Sequence, residues 1–182
     1  MIQLIVSDEI MLKQLEETDA PDIFSIIDSQ REYLSEWLPF VVGTKSVDDT
    51  LAFIRSVNET QESFQELIFC IYYHNIFAGL IDLKFNPEDK VNLRAEIGYW
   101  ISENFQKKGI VTQSVRMLID YAFDELELNR ITIKCATDNQ PSKNIPKRLG
   151  FVFEGIERDG ELFLDGHFVD LEVYSLLKKE WK

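Results

Sequence analysis

Residues 104–115 read NFQKKGIVTQSV. Gln106, Lys107, Lys108 and Gly109 stand just ahead of an apolar run with helical spacing, in which Val111, Val115, Leu118, Ile119 and Ala122 fall on one face. The first N–H groups of a helix have no partners within it, and the helix dipole adds partial positive charge at that end. A phosphate set there is held by backbone amides. Gly109 lets the backbone come close, and the lysines add screened attraction. The plainer reading is a solvated lysine pair beside a turn glycine. Neither GxxxxGK(S/T) nor GxGxxG occurs, so the P-loop and dinucleotide-fold readings lack their motifs.

On both sides of this helix the apolar period is two. ELIFCIYYHNIFAGLIDLKF (66–85) predicts two strands joined at His74-Asn75. VNLRAEIGYWIS (91–102) predicts a third, linked to them through NPEDK (86–90) in an antiparallel meander. Beyond the helix, NRITIKCAT is a strand, SKNIPKRLG a short helix and FVFEGIERD a strand, and FVDLEVYSLLKKEW closes with a last strand. Toward the N-terminus, EIMLKQLEETDAPDIFSIID begins with the alternating Ile10 and Leu12 and then turns helical, with Thr18 expected as N-cap and Pro21 in the first turn. REYLSEWLPF gives a short helix stopped before Pro39. SVDDTLAFIRSVNETQESF gives an amphipathic helix opened by a capping-box-like Ser46 and Asp49. This order predicts a single α+β domain over residues 1–182, a mostly antiparallel sheet with helices on both faces.

Composition narrows the function. The 182-residue chain is 45 % hydrophobic, enough for a packed core, and carries a formal charge of −13. That charge disfavours nucleic acid and anionic membrane surfaces as partners. No apolar stretch of about 18 residues is present to span a bilayer, and the N-terminus lacks the features of a secretory signal. Cys70 and Cys135 lie in strand-like runs and are expected as reduced core residues of a cytoplasmic protein. With two histidines and no CxxC pair, no metal site is expected.

The QKKGIV stretch resembles the Q/R-x-x-G-x-G/A signature of the GNAT superfamily, the GCN5-related N-acetyltransferases. AEIGYWIS before it, NRITIKCATDNQPSKNIPKRLGFVFEG after it and the terminal DLEVYSLLKKEW resemble the Rim-type branch, the ribosomal-protein N-terminal acetyltransferases. The resemblance runs over roughly residues 8–182. Val111 departs from it, standing where the signature ends in Gly or Ala; its N–H survives, provided the side chain turns away from the ligand.

The resemblance implies a GNAT-like splayed mixed sheet and acetyl-coenzyme A as donor, without a metal. The pyrophosphate would rest on the amides of Gln106, Lys107, Lys108, Gly109, Ile110, Val111 and Thr112. The pantetheine arm would pair like a strand with the backbone near Trp100 and Ile101, which requires the strand of 97–102 to part from that of 130–136. Asn139 would hydrogen-bond the pantetheine; a helix cap is its structural alternative. The acceptor implied is a primary amine, foremost the N-terminal α-amine of a protein of ribosomal type. A polyamine or other small amine, or a non-catalytic acyl-coenzyme A binding module, are the alternatives. A homodimer is left open.

Acetyl transfer to an amine needs a proton acceptor, a polarised carbonyl and a protonated leaving thiol. An α-amine titrates near ~8 and a thiol near ~8.5, so the demand on side chains is modest. Positioning of the two substrates can supply much of the rate. Glu96 is the candidate base, sharing a strand face with Gly98 and Trp100, while Ile97, Tyr99 and Ile101 share the other. An ordinary solvent-facing glutamate is the alternative. Ser142 is the candidate acid; many superfamily members use a tyrosine farther along its helix, where IPKRLG has none. Ser142 could equally cap that helix. Pro146 removes one N–H, leaving a carbonyl, that of Ser142, to hold a water or the ligand. His167 is an alternative base, but it and His74 are expected in exposed turns, and Cys135 lacks a histidine to activate it. Tyr174 on the last strand is expected as core or substrate wall.

Residues 16–62 hold 11 acids and 3 bases, most of the chain's negative excess. By the resemblance these helices border the acceptor groove, where a negative rim would draw in a cationic acceptor. The alternative is a solvated helical face.

Overall fold

A computed structural model describes residues 1–62, 66–85, 91–163 and 165–182. In chain order the elements are β1 (Gln3–Ile5), β2 (Ile10–Gln14), α1 (Ala20–Ser29), α2 (Arg31–Ser35), α3 (Val47–Glu62), β3 (Glu66–Tyr73), β4 (Ile76–Lys84), β5 (Arg94–Ile101), α4 (Ile110–Asp124), β6 (Arg130–Ala136), α5 (Gln140–Arg148), β7 (Val152–Leu162) and β8 (Phe168–Leu177). The described strands form one eight-stranded sheet in the order β1-β2-β3-β4-β5-β6-β8-β7. Every neighbouring pair is antiparallel except β5–β6, which is parallel. The α+β architecture expected from the alternating and helical periods is therefore the observed one, with β1 added at the edge. The expected NPEDK link, residues 86–90, lies outside the described residues.

The hairpin at His74-Asn75 forms as expected, with φ of 49° and 62° at the two turn residues. Two left-handed residues give a turn whose twist matches that of the flanking strands. β5 alternates cleanly. Ala95, Ile97, Tyr99 and Ile101 pack into one core with Phe69, Ile81, Ile133 and the buried face of α4, including Val115, Leu118, Ile119 and Phe123. Each of those four α4 side chains stabilises the fold by roughly 1.5–3 kcal/mol on burial. Trp100 joins a second core on the opposite face, with Ile23, Ile27, Leu34, Ile54 and Val57 from α1, α2 and α3. Helices thus cover both faces, but α1–α3 cover only the half of their face beside β3 and β4.

Two caps differ from expectation. Thr18 lies within a 3-10 turn (Glu17–Asp19), and Asp19 stands at the N-cap of α1. The reason is charge: the buried Asp19 carboxylate takes Lys13 Nζ at 2.9 Å, the Tyr72 hydroxyl at 3.0 Å and the Glu16 N–H at 2.9 Å, anchoring the helix start to the sheet. The Ser46–Asp49 pair does close on itself, Ser46 Oγ accepting the Asp49 N–H at 3.2 Å. The return bond from the Asp49 carboxylate goes to the Lys45 N–H, at 3.0 Å.

Candidate active site

The parallel pairing of β5 with β6 runs through Arg94–Arg130, Ala95–Ile131 and Glu96–Thr132 and then stops. β5 continues to Ile101 and β6 to Ala136 without pairing to each other, each held only by its outer neighbour, β4 or β8. The sheet therefore opens in a V whose apex is Glu96. Beyond the apex the edge-facing amides and carbonyls of β5 lack a strand neighbour, the situation in which an extended chain adds on. Side chains fix this segment from both faces: Trp100 packs edge-on against Phe77 at 6.0 Å, and Ile101 packs into the opposite core. Gly98 sits where it must. A Cβ there would meet the Asp82 carboxylate at 2.9 Å, and the Gly98 N–H donates to that carboxylate at 3.2 Å.

At the open end of the V, the connection from β5 to α4 carries Gln106 through Gly109. Gly109 is the N-cap of α4 with φ 75°, and Lys107 is also left-handed, with φ 60°. Two left-handed residues one apart turn the chain sharply, so that the amides of Ile110, Val111 and Thr112 open the helix. Val111 is partly buried against the core, its side chain turned inward. Lys108 lies over the rings of Tyr73 and Phe105, 5.2 and 5.4 Å from their centroids. Lys107 is exposed. Gln106 is held by its side chain, Nε2 donating to the Tyr33 hydroxyl at 2.6 Å.

Glu96 lies on the sheet face of Lys134, whose Nζ is 3.7 Å away, and keeps 37 % of its side chain exposed. Burial pushes its carboxyl above the usual range, against the pull of Lys134 and Lys84. On the same face the carboxyls of Asp82, Glu66 and Glu161 are raised as well, burial again being the main cause. Lys84, 3.8 Å from Asp82 and 3.9 Å from Glu66, answers part of that charge. A cavity of about 240 Å³ opens here, lined among others by Glu96, Thr132, Lys134, Arg94 and Arg130.

On the other face, Asn139 caps α5, its side-chain oxygen accepting the Ser142 N–H at 3.0 Å. The cap expected as one role of Ser142 thus belongs to Asn139, because the serine is three residues too far into the helix. Its hydroxyl is left for other work, 3.2 Å from Cys135 Sγ and 3.3 Å from the Tyr99 hydroxyl. The carbonyl orphaned by Pro146 does not wait for water or ligand: Tyr99 donates to the Ser142 carbonyl at 3.1 Å. Burial raises the Tyr99 phenol well above its usual range, so it stays a donor. The sequence places Tyr99 only on the strand face of Ile97 and Ile101; its reach to α5 depends on how that helix sits on the sheet, which no local pattern carries.

The histidines and Tyr174 stay outside, whereas Cys135 borders Ser142. His167 is exposed and bonded to Asp165 at 2.5 Å, and His74 pairs with Glu9 at 3.3 Å. Cys135 is a buried free thiol with Ser142 as neighbour, and Tyr174 is core. Among the described residues no group of three His, Cys, Asp or Glu could hold a metal ion, and no helix is long and apolar enough to cross a membrane.

A mixed sheet split at its one parallel pair, with a helix N-terminus at the mouth and a carboxylate at the apex, is the arrangement of an N-acetyltransferase. The chain belongs to the acetyltransferase (GNAT) family, whose domain model matches residues 9–152. It is 39 % identical to YdaF of Bacillus subtilis (strain 168), provisionally named a ribosomal N-acetyltransferase, over 97 % of this chain and 96 % of the relative. The fold superposes with TM-score 0.89 and 25 % identity on RimL, a ribosomal-protein α-N-acetyltransferase in complex with coenzyme A as a disulfide to a cysteine; 97 % of this chain and 98 % of that one are covered. It also superposes on the microcin self-immunity acetyltransferase MccE in complex with acetyl-coenzyme A and AMP, with TM-score 0.88, 31 % identity and 94 % of each chain covered. Family membership decides against a non-catalytic binding module.

Proposed function

We propose that this chain is a cytoplasmic enzyme that transfers acetyl from acetyl-coenzyme A to the N-terminal α-amine of a protein of ribosomal type. The observation that carries the reading is the end of β5–β6 pairing at Glu96. A carboxyl with a raised pKa stands at the point where a thioester arm laid along Gly98, Trp100 and Ile101 would end. The pyrophosphate rests on the amides from Lys107 to Thr112; the Gln106 N–H, expected to join them, already donates to the Glu103 carbonyl at 3.2 Å. Tyr33 already donates to the Ile101 carbonyl at 3.1 Å, so the arm uses that oxygen's second lone pair or the neighbouring groups. Asn139 is the cap of α5 and has side-chain atoms left to meet the pantetheine.

Glu96 takes the proton of the incoming ammonium, directly or through a water. The neutral amine attacks the thioester carbonyl, the C–N bond forms and the C–S bond breaks. Ser142, on the opposite face of the V, passes a proton to the leaving sulfur and is reprotonated, through water, by the second proton that the amine sheds as the amide forms. Its hydroxyl already lies at hydrogen-bond distance from one sulfur, that of Cys135. The relative RimL holds coenzyme A in disulfide with a cysteine. Cys135 is the thiol of this chain beside the serine, since Cys70 packs in the other core. Ser142→Ala is expected to lower kcat by about tenfold, less than loss of the base, because a thiol of pKa ~8.5 is already a fair leaving group. A kcat unchanged within error would return Ser142 to a structural role.

The acceptor approaches from the Glu96 face, where raised carboxyls outnumber lysines. Part of the acid excess of residues 16–62 is internal: Glu16 and Asp19 share Lys13, Glu17 holds Arg55 and Asp28 holds Arg31. Glu32 and Glu36 remain on the exposed side of the α2 region. Thiol release is the assay, run with a basic peptide, an acidic peptide, a basic peptide with blocked N-terminus, and spermidine. The basic peptide with a free N-terminus is expected to turn over fastest, its kcat/KM falling steeply with salt over a Debye length of about 8 Å. Equal turnover of the blocked peptide, or faster turnover of spermidine, would move the acceptor to a side-chain or small-molecule amine.

A further inference from the structure

Two side chains from the α1–α2 junction reach across to the connection between β5 and α4. Gln30, at that junction, donates from Nε2 to the buried Ser102 hydroxyl at 2.9 Å and accepts the Glu103 N–H on its oxygen at 2.9 Å. Three residues on, Tyr33 donates its hydroxyl to the Ile101 carbonyl at 3.1 Å and accepts from Gln106 Nε2 at 2.6 Å. The four groups held belong to residues 101, 102, 103 and 106. They therefore span the turn that carries the chain from the open edge of β5 to the N-terminus of α4. Burial raises the Tyr33 phenol above its usual range, with the Gln106 bond opposing, so the hydroxyl keeps its proton and can serve both partners at once.

We propose that Tyr33, assisted by Gln30, is a positioning residue for acetyl-coenzyme A: it fixes the Ile101 carbonyl and the Gln106 side chain from the acceptor side, and so ties the coenzyme loop to the segment that borders the acceptor. The proposal rests on the placement of the coenzyme on residues 100–112. Tyr33 needs no contact with the coenzyme. It acts by holding still the backbone that does contact it, which lowers the ordering cost of binding. Glu32 and Glu36 flank Tyr33 in sequence, so an acceptor docked on the α2 region bears on the same side chain. Linkage is reciprocal: whatever factor a bound acceptor adds to coenzyme affinity, the coenzyme adds to acceptor affinity. Removing the tyrosine hydroxyl should loosen both the loop and that coupling.

The test is a double-mutant cycle on the full chain, with coenzyme A as the titrant and calorimetry as the readout. Tyr33→Phe keeps the ring and its packing but leaves Gln106 Nε2 and the Ile101 carbonyl short of a partner. Coenzyme A should bind about tenfold more weakly, with KM for acetyl-coenzyme A rising likewise and kcat at saturation held within about twofold. Gln106→Ala should weaken binding by itself, but add little on top of Tyr33→Phe, because the pair acts as one unit. A tyrosine that served only the fold would lower the melting temperature and leave the coenzyme Kd unchanged. Unchanged Kd in Tyr33→Phe, or effects of the two substitutions that multiply, would overturn the proposal. Gly109→Trp separates this failure from failure of the coenzyme placement itself. If Gly109→Trp loses coenzyme A while Tyr33→Phe binds normally, the site stands and the positioning role falls. If Gly109→Trp also binds normally, the placement falls, and this proposal with it.

Discussion

Gly109→Trp should bind coenzyme A about 100-fold more weakly than the parent chain and remain folded. Gly109 adopts φ 75°, a region costly for any residue with a Cβ. The strain costs about 1–2 kcal/mol, set against a usual total stability of roughly 5–15 kcal/mol. Space is not the obstacle: a Cβ at Gly109 meets only Gln113 Nε2, at 3.7 Å. The loss comes from what the ring covers. Gly109 immediately precedes the amides that open α4, and a charge-assisted hydrogen bond is worth about 1.5–3 kcal/mol, so denying two of them at the low end of that range, about 3 kcal/mol, gives a factor on the order of 100. Calorimetric titration with coenzyme A checks the affinity, and thermal melting of the free protein checks the fold. Parent-like affinity in a folded Gly109→Trp would remove the pyrophosphate from this helix end.

Glu96→Gln should lower kcat by roughly 100-fold at neutral pH with little change in the Kd of coenzyme A. The substitution keeps the shape of the side chain and removes its charge and its capacity to take a proton. Its pH dependence carries the sign. Burial raises the Glu96 carboxyl, so its basic form is lost as pH falls through a value above the ordinary ~4.3 of glutamate. The parent enzyme should therefore show an acid limb in kcat/KM displaced upward from that value, and Glu96→Gln should lack it. The deficit should shrink toward high pH, where the acceptor amine loses its proton unaided. A Glu96→Gln enzyme with the parent's rate and the parent's acid limb would return Glu96 to an ordinary half-exposed strand position.

The fold was legible in the sequence because its periods are strong and change at the element boundaries. The helix after Gly109, the His74-Asn75 hairpin and the clean alternation of 94–101 all appear as read. β1 was missed because three residues, Gln3–Ile5, are too few to establish a period. Its pairing to β2 is a local hairpin that closes with Ile5 opposite Met11. The helix start at 20 departs from the Thr18 cap because Asp19 is fixed by tertiary partners, Lys13 and Tyr72, whereas the start at 140 is set locally by the Asn139 cap, one of the two readings its sequence allows. The turn and helix start at Gln106–Thr112, on which the coenzyme site is proposed, were legible because they are local. Where the site is assembled across the chain it was not. Tyr99 meeting Ser142, Lys134 meeting Glu96, and Tyr33 meeting Gln106 join residues 43, 38 and 73 positions apart, and nothing in a single sequence pairs them.

Acetyl transfer from acetyl-coenzyme A to an N-terminal α-amine leaves its mark on the first residue of the acceptor. Its most direct test is mass spectrometry of a basic peptide bearing a free N-terminus and an internal lysine, incubated with the purified protein and acetyl-coenzyme A. The prediction is the mass increment of a single acetyl group, located by fragmentation on the first residue, and absent with Glu96→Gln over the same interval. An acetyl group on the lysine alone, or none on any peptide while a small amine is acetylated, would contradict it.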